Sequence, residues 1–220
     1  MLPTECIMPD LSSLQEQQAE GPFLIHQLIG AENGVPEAMG SYRRNMVRLA
    51  DKAVRDYTDA RRYVLAQIQE MERTPEEMAR HGRFIYAHLT TDRLEDCIIT
   101  VRRLFRYFEK VKSDQSGFPL DRLLKQRIEA VGQSIRETRN LIEHLDSDIS
   151  SGKVQRGQST APVLDAETRT ISLAGVQLPA GTLATAIRHF HEFAVDFARY
   201  RLTPDGRYEH MPQAGPVSGS

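Results

Sequence analysis

One short segment of this sequence combines side chains that can move protons and balance charge on a phosphate. It reads Arg139-Asn140-Leu141-Ile142-Glu143-His144. A histidine titrates near neutrality, so it can move the proton of a ribose 2′-hydroxyl while a fixed cation balances the charge that grows on the adjacent phosphate. This chemistry needs no metal ion. Arg139, Asn140 and His144 are therefore the candidate catalytic residues.

The helix period predicts where these side chains point. The buried direction of the helix is defined by an apolar stripe through Ile135, Ile142 and Ile149. At about 100° per residue, Asn140 and His144 lie one turn apart and point roughly opposite to this stripe. Arg139 lies on the flank, and its long side chain can reach the outer face. We therefore expect the three side chains to converge on a surface outside the core.

A second interpretation of the same residues stays open. In it, Arg139 pairs with Glu143 one turn on, and the segment is a solvent-facing polar stripe. The spacing of arginine and histidine recurs at Arg83 and His88, where Phe84 and Ile85 resemble core residues, so we interpret that match as accidental.

Four long helical segments are predicted to position the candidate residues. They run from Ser41 to about Arg73, from Pro75 towards Lys112, from Leu120 to about Ser150 and from Thr182 to Arg201. Thr74 followed by Pro75 and Glu77 predicts a capped start for the second segment, and a further cap at Thr90-Thr91-Asp92 could divide it. In the third segment, apolar residues recur at alternating steps of four and three, which is typical of antiparallel bundle packing.

The predicted fold class is all-α, an antiparallel helical bundle with long helices and a small β-hairpin inserted before the last helix. Proline and glycine make residues 1–40 a loosely ordered arm with one or two short helices. The bundle covers residues 41–202, and the hairpin lies at about 162–174. Residues 203–220 form a polar, flexible tail.

Composition excludes several classes of protein. The chain has 220 residues and a net charge of -2, and its basic stretches, Arg43 to Arg62 and Arg93 to Lys112, are interleaved with acids. These stretches favour solvated helix faces with ion pairs over nucleic-acid binding. No apolar run is long enough to cross a bilayer and the start does not resemble a secretory signal, so we expect a soluble, cytoplasmic protein with no membrane contact.

Neither cofactor nor metal is expected. The two cysteines, Cys6 and Cys97, are far apart and lack metal-type spacing, which predicts free thiols. The group His189, His191 and Glu192 has too few convergent ligands, so we interpret its histidines as flanking a core stripe.

An all-α chain with Arg139, Asn140 and His144 late in a bundle helix resembles the HEPN superfamily (higher eukaryotes and prokaryotes nucleotide-binding domains). The signature of that superfamily is an arginine, a polar residue, a short spacer and a histidine, and the HEPN-like core would span about residues 76–201. The helix before it and the hairpin within it would be elaborations.

The resemblance implies a metal-independent endoribonuclease that leaves a cyclic phosphate. His144 would be the general acid or base, Arg139 would stabilise the transition state and Asn140 would orient them. Members typically form homodimers and occur in toxin–antitoxin, phage-defence or RNA-processing systems, so the implied partners are RNA, a second copy and a neutralising antitoxin protein. Arg136 would bind RNA, and together with arginines of neighbouring helices it would offset the acidic Asp146 and Asp148. The alternative is a non-catalytic helical module that binds a partner or a nucleotide.

Overall fold

A computed structural model describes residues 7–28, 34–114, 117–205 and 207–210. These residues contain seven helices: α1 (Ser12–Gln15), α2 (Glu20–Leu28), α3 (Glu37–Met71), α4 (Pro75–His81), α5 (Ala87–Ser113), α6 (Arg122–Ser150) and α7 (Ala180–Ala198). They also contain five short strands: β1 (Val163–Asp165), β2 (Thr170–Leu173), β3 (Val176–Pro179), β4 (Tyr200–Leu202) and β5 (Tyr208–His210). The chain is mostly helical, as predicted, although the two sheets mean that it is not strictly all-α.

The long helices form a bundle around one core. α3 packs along α5 and against α7, and α6 packs against both α5 and α7. At the centre the ring of Phe190 meets the edge of Phe105 with centroids 4.7 Å apart, and Phe193 meets Phe108 at 5.5 Å. Edge-to-face aromatic pairs of this kind add stabilisation beyond the apolar area that they bury.

α3 begins at Glu37, four residues before the predicted start at Ser41. Pro36, in extended conformation, occupies the N-cap position, and the acid Glu37 lies in the first turn, where the helix dipole favours it. Ser41 lies inside the helix, and its carbonyl accepts a bond from the Asn45 amide at 2.9 Å. The helix therefore begins at the earlier start signal, Pro36 and Glu37, and Ser41 does not cap it.

The second predicted segment is two helices, and the break lies before the predicted one. Thr74 and Glu77 form the expected capping box at the start of α4. α4 then ends at His81, and its C-cap residue is Gly82, whose positive φ of 70° is favourable for glycine. α5 begins at Ala87. The predicted break at Thr90-Thr91-Asp92 is wrong, because this segment lies within α5 and the Thr90 hydroxyl donates to the Tyr86 carbonyl.

The N-terminal segment contains the two short helices predicted for it, and it packs on α3. Asp51, buried in α3, accepts hydrogen bonds from the backbone N–H groups of Ala19 at 3.0 Å and Glu20 at 2.9 Å. These donors lie at the start of α2, so Asp51 caps α2 from another helix. Met8, Leu11 and Phe23 are buried against the same core. Residues 1–6 and 29–33 lie outside the described residues.

We expect Asp51→Ala to lower the free energy of unfolding by about 1–3 kcal/mol, because it leaves one buried and one partly buried N–H group without an acceptor. Asp59→Ala is the matched control, since Asp59 is a partly exposed carboxylate on the same helix that pairs with Arg62. Its loss is worth less than about 1 kcal/mol. Urea unfolding of both variants checks the prediction, and equal losses in the two would contradict it.

The predicted hairpin is present and larger than expected. β1 pairs with β2 in the predicted segment, and β3 adds a third antiparallel strand directly before α7.

The predicted flexible tail is corrected in part. β4 and β5 pair after α7, where the rings of Tyr200 and Tyr208 lie 4.9 and 5.2 Å from that of Phe118. Residues 211–220 of that tail lie outside the described residues.

The apolar stripe of α6 is buried only in its first part. Ile128 and Ile135 are buried, Ile142 and Leu145 are partly buried, and Ile149 is 47% exposed. The prediction that the stripe is buried to Ile149 is wrong. The reason is length, because α6 has 29 residues and the neighbouring α7 has 19, so the last turns of α6 extend beyond the core.

Candidate functional site

Asn140 and His144 lie together in an open surface depression of about 530 Å³ beside the second half of α6. Both are exposed, as the helix period predicts. The rest of the depression is lined by Glu137, Leu141, Ser147, Asp148, Lys153 and Val176. A histidine in an open depression can reach a bound molecule.

The sheet that precedes α7 contributes to this depression. Val176, the first residue of β3, lines it, and β3 packs on α6. The acids that follow His144 differ in their partners. Asp148 pairs with Lys153 at 2.8 Å, which offsets its charge, whereas Asp146 is exposed. The sheet, which the HEPN resemblance leaves as an elaboration, therefore forms part of the site wall.

Arg139 lies apart from the depression. It is 8% exposed and is not among the described residues that line the depression. Its guanidinium contacts the Glu143 carboxylate one turn on, and its Nη1 donates to Asn140 Oδ1 at 3.3 Å. The predicted convergence of Arg139 with His144 on one surface is therefore not observed. Asn140 is the residue that touches Arg139 and also lines the depression.

Arg139 belongs to a group of four arginines between α5 and α6, here called the arginine cluster. Its members are Arg102 and Arg106 of α5, and Arg136 and Arg139 of α6. Burial lowers the pKa of Arg102, and the charges of Arg136, Arg106 and Arg139 lower that pKa further, while the charge of Glu109 acts in the opposite direction. Burial, followed by the charge of Arg106, also lowers the pKa of Arg139. Guanidinium groups stay protonated, so the four positive charges repel one another.

In the described part of the chain, most of this charge has no carboxylate in direct contact. Within the described residues no carboxylate lies within 4.0 Å of Arg102, Arg106 or Arg136, and only Arg139 has an acidic partner. The Nε of Arg102 is also buried without a hydrogen-bond partner in that part of the chain. A buried donor without an acceptor is costly, and a cationic one more so. The cluster is therefore suited to an anion.

The packing of α5 against α6 holds the arginine cluster in place. The helices are antiparallel, with Lys112 bonded to Glu129 at 2.9 Å and Phe105 packed against Gly132. A Cβ at Gly132 would lie 3.0 Å from Phe105 Cε1, so the absence of a side chain permits this close approach. Arg106 directly follows Phe105 and Arg102 lies three residues before it, so both belong to the part of α5 that packs on α6.

Arg102 and Arg106 were not individually predicted from the sequence, which pointed only to unnamed arginines of neighbouring helices. The stretch from Arg93 to Lys112 is predicted to be a solvated face with ion pairs, and this holds for Arg93, which lies 3.6 Å from Asp96. A signal was nevertheless present, because residues 97–108 contain three arginines and no acid. Basic residues without neighbouring acids on a half-buried helix indicate charge that the helix itself does not balance.

The other histidine group has a structural role. His191 is buried, and its Nε2 lies 2.8 Å from the Gln17 carbonyl, which ties α7 to the N-terminal segment. Glu192 pairs with Arg127 at 2.9 Å. Burial, followed by the charge of Arg127, lowers the pKa of His189. Among the described residues, no three histidine, cysteine or acidic side chains form a group that could hold a metal ion.

Two smaller predictions can be compared with the structure. Phe84 and Ile85 are 52% and 65% exposed, so their interpretation as core residues is wrong. Arg83 nevertheless precedes the start of α5, so the second arginine–histidine match does not lie on one helix. Cys97 is a buried free thiol, and Cys6 lies outside the described residues.

Comparisons of this chain with family models, curated proteins and solved structures find no match. The resemblance to the HEPN superfamily stays a prediction that depends on the motif residues. No helix in the described part of the chain is long and apolar enough to cross a membrane.

Proposed function

We propose that this chain is a HEPN-like, metal-independent endoribonuclease whose catalytic residues are Arg139, Asn140 and His144. The observation that supports the proposal is the continuity of the three side chains. Arg139 donates to Asn140, and Asn140 shares an open depression with His144. A buried cation thus contacts an amide that shares the surface depression with an imidazole.

The proposed reaction is an internal transesterification. His144 takes the proton of a ribose 2′-hydroxyl, and the 2′-oxygen attacks the adjacent phosphorus. The bond from phosphorus to the 5′-oxygen breaks, which leaves a 2′,3′-cyclic phosphate on one product. The departing 5′-oxygen takes a proton from the His144 of a second copy, so the other product ends in a 5′-hydroxyl. No metal ion or redox step is involved.

The role of Arg139 depends on a rearrangement. Its guanidinium is paired with Glu143, and that carboxylate is 43% exposed. An incoming phosphodiester can replace the carboxylate, because both are oxyanions that suit the arginine fork. Arg139 would then stabilise the charge that grows on the phosphate, with Asn140 holding the guanidinium towards the depression.

A homodimer completes the proposed site, because each single depression contains one candidate histidine. An enzyme of this kind acting on cellular RNA would harm its host, so the proposal includes a toxin or defence role and a neutralising antitoxin protein. Sedimentation analysis that shows a monomer at micromolar concentration would contradict the paired site.

The test is cleavage of labelled single-stranded RNA by the purified protein in EDTA. We expect fragments that carry a 2′,3′-cyclic phosphate, at a rate unchanged by the chelator. A matched DNA oligonucleotide lacks the 2′-hydroxyl and should stay intact. Absence of RNA cleavage in every buffer would reject the nuclease, and loss of cleavage in EDTA alone would reject the metal-independent mechanism.

A second candidate function is a non-catalytic interaction module. It is favoured by the ion pair of Arg139 with Glu143, and by an apolar groove of about 620 Å³ between α3, α5 and β1. Met71 and Val163 line this groove and are exposed. Stable binding of a protein partner by a chain that does not cleave RNA would support this candidate.

A further inference from the structure

We propose that Arg102, Arg106 and Arg136 form a phosphate-binding subsite on the α5–α6 face, separate from the depression that holds His144. Its ligand is a phosphate group, and its source in our proposal is a phosphodiester that flanks the cleaved bond. That source rests on the proposed function, whereas the subsite itself rests on the arginine cluster.

Arg102, Arg106 and Arg136 carry positive charge that no contacting carboxylate balances in the described structure. Within the described residues no carboxylate pairs with any of these three arginines, and the buried Arg102 Nε has no acceptor. Arg106 and Arg136 are exposed and Arg102 is half-buried, so solvent screens part of the repulsion among them, and a bound anion would balance the remainder. A phosphate supplies several acceptor oxygens and negative charge, so it can satisfy the Nε and balance the cluster.

The carboxylate of Glu143 lies at the edge of the arginine cluster. Arg139 is the most buried member, and the Glu143 carboxylate balances its charge. The other three arginines have the same charge and no equivalent partner in the described structure. An oxyanion is therefore already accepted at one end of this cluster, whereas the arginines at the other end have no carboxylate within 4.0 Å in the described structure.

Arg136 and the catalytic His144 are separated along α6. Arg136 precedes His144 by eight residues on α6, which corresponds to about 12 Å along the helix axis. In this proposal the phosphate held beside Arg136 and Arg102 is a different group from the one that reacts at His144, which Arg139 would contact. The substrate must contain at least two phosphates, and a strand of several nucleotides meets this requirement.

The experiment measures two probes with wild type, Arg102→Gln and Arg106→Gln. The first probe is a fluorescent 2′-O-methyl RNA oligonucleotide, which cannot be cleaved because it lacks the 2′-hydroxyl, and the second is inorganic pyrophosphate. Arg103→Gln is the matched control, because Arg103 is an exposed residue of the same helix outside the cluster. We expect each cluster variant to weaken oligonucleotide binding roughly tenfold or more, and the control less than about threefold.

The melting temperature of each variant distinguishes a loss of binding from a loss of folding. Arg102→Gln removes repulsion, so its melting temperature without ligand should equal or exceed that of wild type, while the rise caused by pyrophosphate should be lost. Equal binding of both probes by the cluster variants and Arg103→Gln would overturn the subsite. A loss for pyrophosphate alone would keep the subsite and reject RNA as its source.

The outcomes also separate this inference from the nuclease. If wild type binds the oligonucleotide through Arg102 but cleaves no RNA, the subsite stands and the proposed function fails. If RNA is cleaved equally well by Arg102→Gln and Arg103→Gln, with equal binding, the nuclease stands and the subsite fails.

Discussion

Replacement of His144 by alanine is expected to lower the rate of RNA cleavage by roughly 10²–10⁴-fold, the range typical of a lost general acid or base. The residue is exposed and lines an open depression, so its removal should leave the fold unchanged. The measurement is single-turnover cleavage of labelled RNA, with circular dichroism to compare the folds.

His88→Ala is the matched control for this experiment. His88 is also an exposed histidine on a long helix and belongs to the second arginine–histidine match. Its replacement should not change the cleavage rate. A His144→Ala variant that cleaves as fast as His88→Ala would assign the activity to another residue or to a contaminating nuclease.

Arg139→Ala should lose activity to a similar extent, because it removes the cation that balances the transition state.

Replacement of Arg43 by alanine is expected to lower the free energy of unfolding by about 2–5 kcal/mol. Arg43 is 1% exposed, and its Nη2 donates to the carbonyl oxygens of Ala198, the last residue of α7, and Tyr200, the first residue of β4. Its guanidinium also lies 5.5 Å from the centre of the Phe23 ring. The change removes donors from two carbonyls and a cation–π contact, and it leaves a cavity.

Arg48→Ala controls for the loss of an arginine from α3, because Arg48 is exposed on the same helix. Surface substitutions of this kind cost within about 0.5 kcal/mol. Urea unfolding of both variants checks the difference. A stability loss for Arg43→Ala as small as that for Arg48→Ala would show that the contacts with α7 contribute little.

Features that depend on neighbouring residues were predictable from the sequence. The helical periodicity from Leu120 to Ser150 predicted α6 within two residues at its start, and Thr74 with Glu77 predicted the start of α4. The outward direction of Asn140 and His144 also followed from the helix period. These predictions succeed because capping and helix periodicity act within one or two turns of the chain.

Features that depend on contacts between distant segments needed the tertiary structure. The sequence indicated that Arg139 could reach the outer face, but packing against α5 and the Glu143 carboxylate hold it beneath the surface. Asp51 and Arg43 belong to a stretch that the sequence predicts to be a solvated helix face with ion pairs. Both side chains are buried, and both bond to backbone groups of other elements.

The helices and the motif positions were thus determined by the sequence itself, because each depends on residues a few positions apart. The burial of Arg139 and the meeting of Arg102, Arg106 and Arg136 were decided by the antiparallel packing of α5 on α6, with Gly132 against Phe105. Charges from two helices become neighbours only after the core has formed, so no spacing within either helix could predict the cluster.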